Sequence, residues 1–268
     1  VRVWSGLFDL YWAVSGERLI LAAAGNGPAF LMAPPLGRGP LQPAVQRGVE
    51  LLRALNPPHA AARVQEVPEP LRPEFEAMGF RTTQVFHEYL YDRARLASLA
   101  GNAYKGKRSA RNCFAKHHSA SFRPFQEDDL PDCWELYRRW WRERAAADSS
   151  VMFASQLQAS ASMFLAALRE REALGLRVRV LEADGRIAAC TAGYEAPGGG
   201  QFAVLIEVAD RAVKGAAAFC FQEFCREAAP LPLINAMSDS GLAGLAAAKE
   251  SYHPVRREPS LVMEAPPA

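Results

Sequence analysis

The first third of the chain alternates short apolar runs with turn-forming residues. Residues 7–14, 18–23 and 29–32 are apolar runs of strand length, and turns at 15–16 and 25–27 separate them. Apolar runs of about four to eight residues bounded by Gly, Ser and Asn are typical of β-strands. The pattern therefore predicts a three-strand meander at the start of the chain.

The apolar period changes from strand-like to helical after the Pro- and Gly-rich stretch 34–43. Apolar residues in 45–55 recur at the spacing of one helix face, and Asn56-Pro57-Pro58 ends that helix. The pattern then predicts a strand at 61–64, a helix at 71–78 and a strand at 82–91. These elements indicate a mixed α/β lobe.

The rest of the chain repeats this mixture around a central hairpin. Asp184-Gly185 is a strong hairpin signal, and apolar residues at 178–180 and 187–189 flank it. We predict the other elements in this order: a basic helical segment at 96–118, helices at 129–146 and 156–172, a strand at 201–208, a helix at 215–229, a strand at 231–235, a helix at 241–250 and a strand at 261–264. The fold class is therefore α/β with mixed sheets.

Composition limits the class of protein. A membrane helix needs roughly 18 to 20 uninterrupted apolar residues, and Gly and Pro interrupt the longest candidate, 19–36. The chain also opens without the basic and apolar regions of a secretory signal. We therefore expect a cytoplasmic protein without a membrane span.

Cysteine and histidine spacings give no sign of a metal site. The five cysteines contain no C-x-x-C pair, and the five histidines have none of the spacings usual in zinc sites. Five cysteines without a pairing pattern suit a reducing compartment, where thiols serve as small core residues. We predict no metal and no tightly bound cofactor.

Positive charge is concentrated in one segment, although the net charge of the chain is only +2. Eight Lys and Arg residues and two acidic residues lie between positions 81 and 120, so this segment carries +6. Lys107, Arg108 and Arg111 share one face of the predicted helix because of their spacing. With Lys105 they are candidates for binding the phosphates of a tRNA acceptor end or of coenzyme A. The alternative is an ordinary solvated helix face.

A helix that follows a strand offers unpaired backbone N–H groups to an anion. The junction at 212–217 contains Lys214, Gly215 and Ala217 as candidate substrate-binding residues. It resembles the Q/R-x-x-G-x-G/A motif of CoA-dependent acetyltransferases, although Ala212 stands in place of Gln or Arg. The alternative is a helix start whose small residues allow close packing.

Four motifs occur in an order that resembles one family. They are Glu88-Tyr89-Leu90-Tyr91, Leu96-x-x-Leu99-x-Gly101, Lys107-Arg108-x-x-x-Asn112-x-Phe114 and the block at 234–254. Together they resemble the DUF2156 family, which is related to the catalytic domain of phosphatidylglycerol lysyltransferases. The resemblance covers nearly the whole chain. It implies two tandem acetyltransferase-like (GNAT-like) lobes, at 1–95 and 96–268, with the basic linking helix 96–118 in the second.

The block at 234–254 keeps most of the family pattern, which resembles I-N-R-E-x-D-x-G-x-x-G-L-R-x-x-K-x-S-Y-x-P. The matching residues are Asn235, Asp239, Gly241, Gly244, Leu245, Lys249, Ser251, Tyr252 and Pro254. Ala236, Met237 and Ala246 stand where the family has Arg, Glu and Arg. The block therefore supports the fold and the reaction class better than it supports any one substrate.

Acyl transfer needs a positive charge or N–H donors beside the carbonyl oxygen, and often a base for the proton of the nucleophile. Lys249 can supply the charge, and Asp239 can act as a base or bind an amino group. Both have structural alternatives. A Lys in the last turn of a helix complements its dipole, and an Asp before a helix is an ordinary N-cap.

Glu207 is a carboxylate inside the apolar run 202–208, where it is costly unless it is paired or directed into a cleft. The family also has a Glu at this place. Tyr252 can donate a hydrogen bond to a substrate or pack the end of the helix. We therefore expect Glu207, Asp239, Lys249 and Tyr252 to be catalytic, with Asn235 and Ser251 binding the substrate.

Three functions remain open from the sequence. The resemblance implies transfer of an aminoacyl group from aminoacyl-tRNA to a small-molecule or lipid-like acceptor. The junction at 212–217 leaves open an N-acyltransferase that uses acetyl-CoA or another acyl-CoA. A non-catalytic ligand-binding module is the third. The sequence does not specify the oligomeric state.

Overall fold

A computed structural model describes residues 5–25, 27–147 and 151–266. For residues 147 and 151–159 it describes the backbone only. Asn26 of the predicted turn at 25–27 lies outside this range. The elements of the first 92 residues are β1 (Asp9–Ser15), β2 (Arg18–Ala24), β3 (Phe30–Leu31), β4 (Leu36–Gly37), α1 (Leu41–Leu55), β5 (Ala62–Pro68), α2 (Arg72–Ala77) and β6 (Arg81–Asp92).

The remaining elements begin with two short helices and end with a long strand. They are α3 (Arg93–Ser98), α4 (Lys105–His117), β7 (Ala120–Pro124), α5 (Leu130–Ala147), α6 (Val151–Arg169), β8 (Arg177–Ala183), β9 (Arg186–Glu195), β10 (Gln201–Ala209), α7 (Ala216–Glu227), β11 (Leu233–Ser238), α8 (Ala243–Glu250) and β12 (Arg256–Ala265). The mixed α/β fold class predicted from the sequence is confirmed.

The chain divides into two compact units, neither of which is continuous in sequence. We call residues 7–88, 238–241 and 257–268 the small unit, and residues 1–6, 89–237 and 242–256 the large unit. The predicted GNAT-like lobes, 1–95 and 96–268, are continuous and so differ from these units. The boundary between the lobes stays a prediction.

The small unit packs one sheet face against α1. Its strands follow the order β1-β2-β3-β5-β12-β6, and β4 pairs with β2. Ile20 and Leu31 from the sheet and Val45 and Leu52 from α1 are fully buried in its core. Gly48 brings α1 close to the strands, because a Cβ at this position would lie 2.6 Å from Leu31 Cδ1.

The large unit contains the antiparallel meander β8-β9-β10, with β7 beside β8 and β11 parallel to β10. One core lies between this sheet and the helices α5 and α6. Two further clusters bury residues of α3, α4 and α7 with the sheet strands. The parallel pair β10–β11 is connected through α7, the usual arrangement for parallel neighbours.

The predicted helix 96–118 is wrong as a single element. Leu99 has a left-handed φ of 51° and Gly101 has a φ of 86°, so the chain turns there and α3 and α4 are separate helices. The strand β7 was not predicted, because Ala120–Pro124 is only five residues long, contains one large apolar residue and ends in Pro. Pairing with β8 holds it in the sheet, which shows how tertiary context overrides local preference.

Candidate functional site

The strands β10 and β11 of the large unit pair only at their beginnings. Gln201–Ala203 pairs with Leu233–Asn235, whereas β10 continues to Ala209 and β11 to Ser238 without further mutual pairing among the described residues. Two parallel strands that part in this way leave a wedge open between them. The candidate site is built from residues around this wedge.

A β-bulge in β10 decides which side of the sheet Glu207 faces. The β9–β10 register shifts between Val204 and Ile206, so one extra residue interrupts the alternation of side chains. Phe202 and Val204 pack with α7 residues, whereas Ile206 and Val208 pack into the core formed with α5 and α6. Glu207 alternates with these last two residues and therefore points away from that core.

Glu207 is surrounded by protein and still accessible to water. Its side chain is exposed by surface area, yet enough protein lies around the carboxylate to raise its pKa to about 7. Both observations hold if the side chain projects into a narrow crevice rather than into the core. No side chain in the described part of the large unit hydrogen-bonds this carboxylate, so it is open to a substrate.

Two lysines act electrostatically on Glu207. The positive charges of Lys107 and Lys249 lower the pKa of Glu207 and so oppose the effect of its surroundings. Burial lowers the pKa of Lys107, whereas the charge of Glu207 raises it. The resulting group of one carboxylate and two ammonium ions combines a proton acceptor with positive charge.

The backbone of β11 holds the ammonium group of Lys249. Lys249 Nζ donates hydrogen bonds to the carbonyl oxygens of Ala236, at 2.6 Å, and Met237, at 2.9 Å. Asn235 shapes this segment, since its Oδ1 accepts a hydrogen bond from the Met237 backbone N–H at 2.7 Å and Met237 adopts a left-handed φ of 61°. Asn235 is thus a positioning residue for Lys249.

Main-chain atoms, not side chains, make the contacts with Lys249 at positions 236 and 237. The family pattern has Arg and Glu side chains where this chain has Ala236 and Met237. Lys249 contacts main-chain oxygen atoms at both positions, and these atoms are present whatever the side chain. The contact of Lys249 therefore survives the two substitutions.

Tyr252 and Lys107 form a close cation–π pair. Lys107 Nζ lies 3.8 Å from the centroid of the Tyr252 ring, and the Phe221 ring packs edge-on against the same tyrosine at 4.9 Å. Burial, followed by the charge of Glu207, raises the pKa of Tyr252, so its hydroxyl stays protonated at neutral pH. Tyr252 can therefore donate a hydrogen bond.

Two tyrosine hydroxyl groups fix the end of α8. Tyr91 donates to the carbonyl oxygen of Lys249 at 2.9 Å, and Tyr104 donates to that of Tyr252 at 3.2 Å. Neither tyrosine was singled out from the sequence. Tyr91 belongs to the Glu88-Tyr89-Leu90-Tyr91 motif, and this motif was the only signal that could have identified it.

The other predicted site residues are exposed or make local contacts. Asp239 belongs to the small unit, in which its Oδ1 accepts a hydrogen bond from the Gly241 backbone N–H at 2.9 Å. Ser251 is exposed and donates to the Ala248 carbonyl oxygen at 2.5 Å. Lys214 and Ala217 are exposed at the start of α7.

Three of the four basic candidates make contacts within the chain. Lys105 is exposed, and Lys107 turns towards Tyr252. Arg108 donates to the backbone oxygen atoms of Leu99 and Gly101. Arg111 lies 3.6 Å from Glu223 and stacks on Phe219. Their proposed role in binding phosphate stays a prediction.

Gly215 has a packing reason to be glycine. It begins α7 with a left-handed φ of 87°, and a Cβ at this position would lie 2.1 Å from the Ala110 carbonyl oxygen of α4. This close approach is the structural alternative that the sequence left open. The phosphate-binding role of the junction stays a prediction.

Replacing Gly215 with Ala should lower the free energy of unfolding by about 3 kcal/mol, measured by urea denaturation. About 1 to 2 kcal/mol comes from the left-handed backbone and the rest from the overlap with α4. Gly199 is the matched control, since its φ is 78° but nothing lies within 4 Å of an added Cβ. Gly199→Ala should lose only the backbone part; equal losses would contradict the packing role of Gly215.

Among the described residues, no three His, Cys, Asp or Glu side chains are placed to hold a metal ion. In the same part of the chain, none of the helices has the length and apolar character required to cross a membrane.

Comparison with known proteins gives a family model and several solved structures. The model described as phosphatidylglycerol lysyltransferase, C-terminal, matches residues 3–263. No curated protein matches the sequence. A conserved protein of unknown function from Bacteroides thetaiotaomicron VPI-5482 is 25% identical, with a TM-score of 0.84 over 98% of this chain and 88% of the other.

Two more distant structures bear on the fold. The C-terminal domain (DUF2156) of a putative lysylphosphatidylglycerol synthetase from Agrobacterium fabrum is 17% identical, with a TM-score of 0.66 over 97% of this chain and 84% of the other. A tandem GNAT protein from the clavulanic acid biosynthesis pathway is also 17% identical, with a TM-score of 0.55 over the same shares. The predicted tandem GNAT-like fold is confirmed.

Proposed function

The chain belongs to the family of phosphatidylglycerol lysyltransferase C-terminal domains, and we propose that it moves an aminoacyl group from aminoacyl-tRNA to a small-molecule or lipid-like acceptor. The resemblance to DUF2156 is confirmed by the match over residues 3–263, and with it the broader prediction of an acyl- or aminoacyltransferase. What we propose is the chemical class of the aminoacyl donor and of the acceptor.

The main support for the proposal is the electrostatic environment of Glu207. Its pKa is about 7, and the positive charges of Lys107 and Lys249 act on its carboxylate. A base works best when its pKa is near the working pH, because it is then often deprotonated and still basic enough to accept a proton. Glu207 meets this condition and has no hydrogen-bond partner in the described part of the large unit to compete with a substrate.

We assign each residue a step in the reaction. Glu207 takes the proton from the acceptor's amine or hydroxyl group as that group attacks the carbonyl carbon of the aminoacyl ester. The positive charges of Lys249 and Lys107 stabilise the negative oxygen of the tetrahedral intermediate. The bond between the carbonyl carbon and the ester oxygen then breaks, and Glu207 returns the proton to the released tRNA hydroxyl.

Tyr252 and the tyrosines behind it keep this group in place. Tyr252 positions Lys107 through the contact at 3.8 Å and offers its hydroxyl as a hydrogen-bond donor. Tyr91 and Tyr104 fix the backbone of the segment that carries Lys249 and Tyr252. Preorganised charge of this kind requires little rearrangement during the reaction.

The donor is better explained as aminoacyl-tRNA than as an acyl-CoA. The motif at 212–217 was the main support for CoA, and Gly215 is explained by its close approach to Ala110 of α4. The family to which the chain belongs is named for lysyl transfer. The motif therefore gives the acyl-CoA alternative less support, and the phosphate-binding role of Lys214 and Ala217 stays a prediction.

Incubation with each of the twenty aminoacyl-tRNAs tests the proposal. We expect deacylation of at least one of them to be faster than in buffer, with the aminoacyl group recovered on an added amine or hydroxyl acceptor. Glu207→Gln serves as the control for contaminating hydrolases. Deacylation no faster than in buffer for all twenty, together with a rise in melting temperature in the presence of acetyl-CoA, would replace this proposal by the acyl-CoA alternative.

A further inference from the structure

The small unit has an unprotected sheet edge at β1. This strand ends the strand order, so one side of its backbone has no strand partner among the described residues. It pairs with β2 over all seven residues without a register shift, and residues 10–14 are all apolar. Proteins usually protect such edges with Pro, Lys or a bulge, because exposed backbone groups pair readily with other strands. β1 has none of these devices.

The edge strand of the large unit, β7, carries residues that protect its open edge against pairing with another strand. β7 ends its strand order and contains Arg123 and Pro124 within five residues. A charged side chain and a residue without an N–H both discourage pairing with another chain. The open edge of β1 is therefore not a general property of this protein.

Exposed apolar side chains lie on one face beside this edge. Trp12 is 71% exposed and Val14 59% exposed. Val14 lies opposite Leu19 on β2, and Leu19 lies opposite Leu36 on β4, so the apolar row crosses three strands. The other face of β2 carries Ile20, which packs in the core with α1.

We propose that β1 pairs antiparallel with β1 of a second copy of this chain, around a twofold axis at Trp12. The strand is self-complementary in this register. Leu10 would lie opposite Val14 of the partner subunit, Tyr11 opposite the partner's Ala13, and Trp12 opposite the partner's Trp12. Asp9 would face the partner's Ser15, so no like charges meet. A twofold interface requires such self-complementarity.

A second strand fits this surface better than a lipid bilayer does. Both would cover Trp12 and Val14, but only a strand pairs with the backbone N–H and C=O groups along the edge. Unpaired backbone groups are costly in hydrocarbon. Pairing of the two edges would also extend the apolar row of Val14, Leu19 and Leu36 across the axis.

Sedimentation velocity of the full chain at about 1 to 100 μM tests this proposal, because a homodimer dissociates on dilution. We expect a dimer, twice the 29.3 kDa of the chain. Trp12→Lys should raise the dissociation constant about thirtyfold or more, as truncating a central aromatic residue of an interface does. It places two like charges opposite each other on the axis.

A charge-swap mixture and a matched control locate the interface. Trp12→Lys and Trp12→Glu should each be monomeric alone, and mixing them should restore a dimer through opposed charges. Val85→Lys makes a similar change at a side chain 46% exposed on β6 and should leave the dimer intact. A monomer at every concentration, or a dimer insensitive to Trp12→Lys, would overturn the proposal. So would a monomeric wild type that sediments with phosphatidylglycerol vesicles through Trp12.

Discussion

Replacing Glu207 with Gln should lower kcat for aminoacyl transfer by about a hundredfold to ten-thousandfold, the usual contribution of a general base. The amide has nearly the same shape but cannot accept the proton of the nucleophile. Single-turnover measurement with the preferred aminoacyl-tRNA isolates the chemical step. Glu195→Gln is the matched control, because Glu195 lies at the end of β9 with a side chain 66% exposed. It should leave kcat within about twofold.

The pH dependence gives this variant a second and independent readout. In the wild type, kcat should rise with pH through about 7, because the active form of Glu207 is the carboxylate. Glu207→Gln should remove that step from the residual activity. An unchanged pH profile together with a kcat close to that of the wild type would rule out Glu207 as the base.

The free energy of unfolding should also depend on pH because of the ionisation of Glu207, and the direction of this dependence can be predicted. The pKa of Glu207 rises from 4.5 to about 7 on folding, so the folded chain binds more protons than the unfolded chain between these values. The free energy of unfolding therefore falls as the pH rises through this interval. Glu207→Gln should not show this fall, and the stability of the variant relative to wild type should increase from pH 4.5 to 7.

Replacing Lys249 with Met should lower kcat by about a hundredfold to a thousandfold, comparable to the loss of one oxyanion donor. The pH at which the residual activity is half-maximal should also rise, because the positive charge that lowers the pKa of Glu207 has gone. A lysine that merely supported the fold would not move this midpoint. The pH profile of single-turnover rates therefore distinguishes a catalytic role from a structural one.

The stability of the Lys249 variant needs its own measurement. The carbonyl oxygens of Ala236 and Met237 lose a charged donor, which should cost about 1 to 3 kcal/mol by urea denaturation. Rates should therefore be compared well below the melting temperature. Lys249→Arg keeps the charge and should recover part of kcat, and Lys116→Met is the control at an exposed lysine. Full activity in Lys249→Met would remove this residue from the mechanism.

Local patterns predicted most of the fold. The meander at the start of the chain and the hairpin at Asp184-Gly185 have clear periodicity and turn residues, and both are present. The helix 96–118 splits at Leu99 and Gly101; Gly101 is a possible helix end in the sequence, but a left-handed Leu99 has no sequence signature. β7 was missed because its pairing with β8, rather than its own residues, makes it a strand.

The candidate site was predictable only for residues that stand out by themselves in the sequence or belong to a recognisable block. Glu207 stands out as a carboxylate in an apolar run, and Lys249 belongs to a recognisable block. Lys107 was assigned to phosphate binding because helical spacing groups it with Arg108 and Arg111. Its contact with Tyr252 joins positions 107 and 252, and no local pattern relates residues so far apart.

The bulge in β10 determines which side of the sheet Glu207 faces, because one extra residue shifts the alternation of the side chains by one position. If β10 ran without the bulge and kept all its residues, Glu207 would take the side that Ile206 and Val208 now occupy and would face the core. Deleting the bulged residue Leu205 would instead keep Glu207 opposite Thr191 and directed away from that core, because the pairing on the two sides of the bulge is continuous without it. Variants that lose the bulge by deletion should therefore keep the direction of the carboxylate, whereas regular pairing of the full-length strand should turn it inward and abolish the activity.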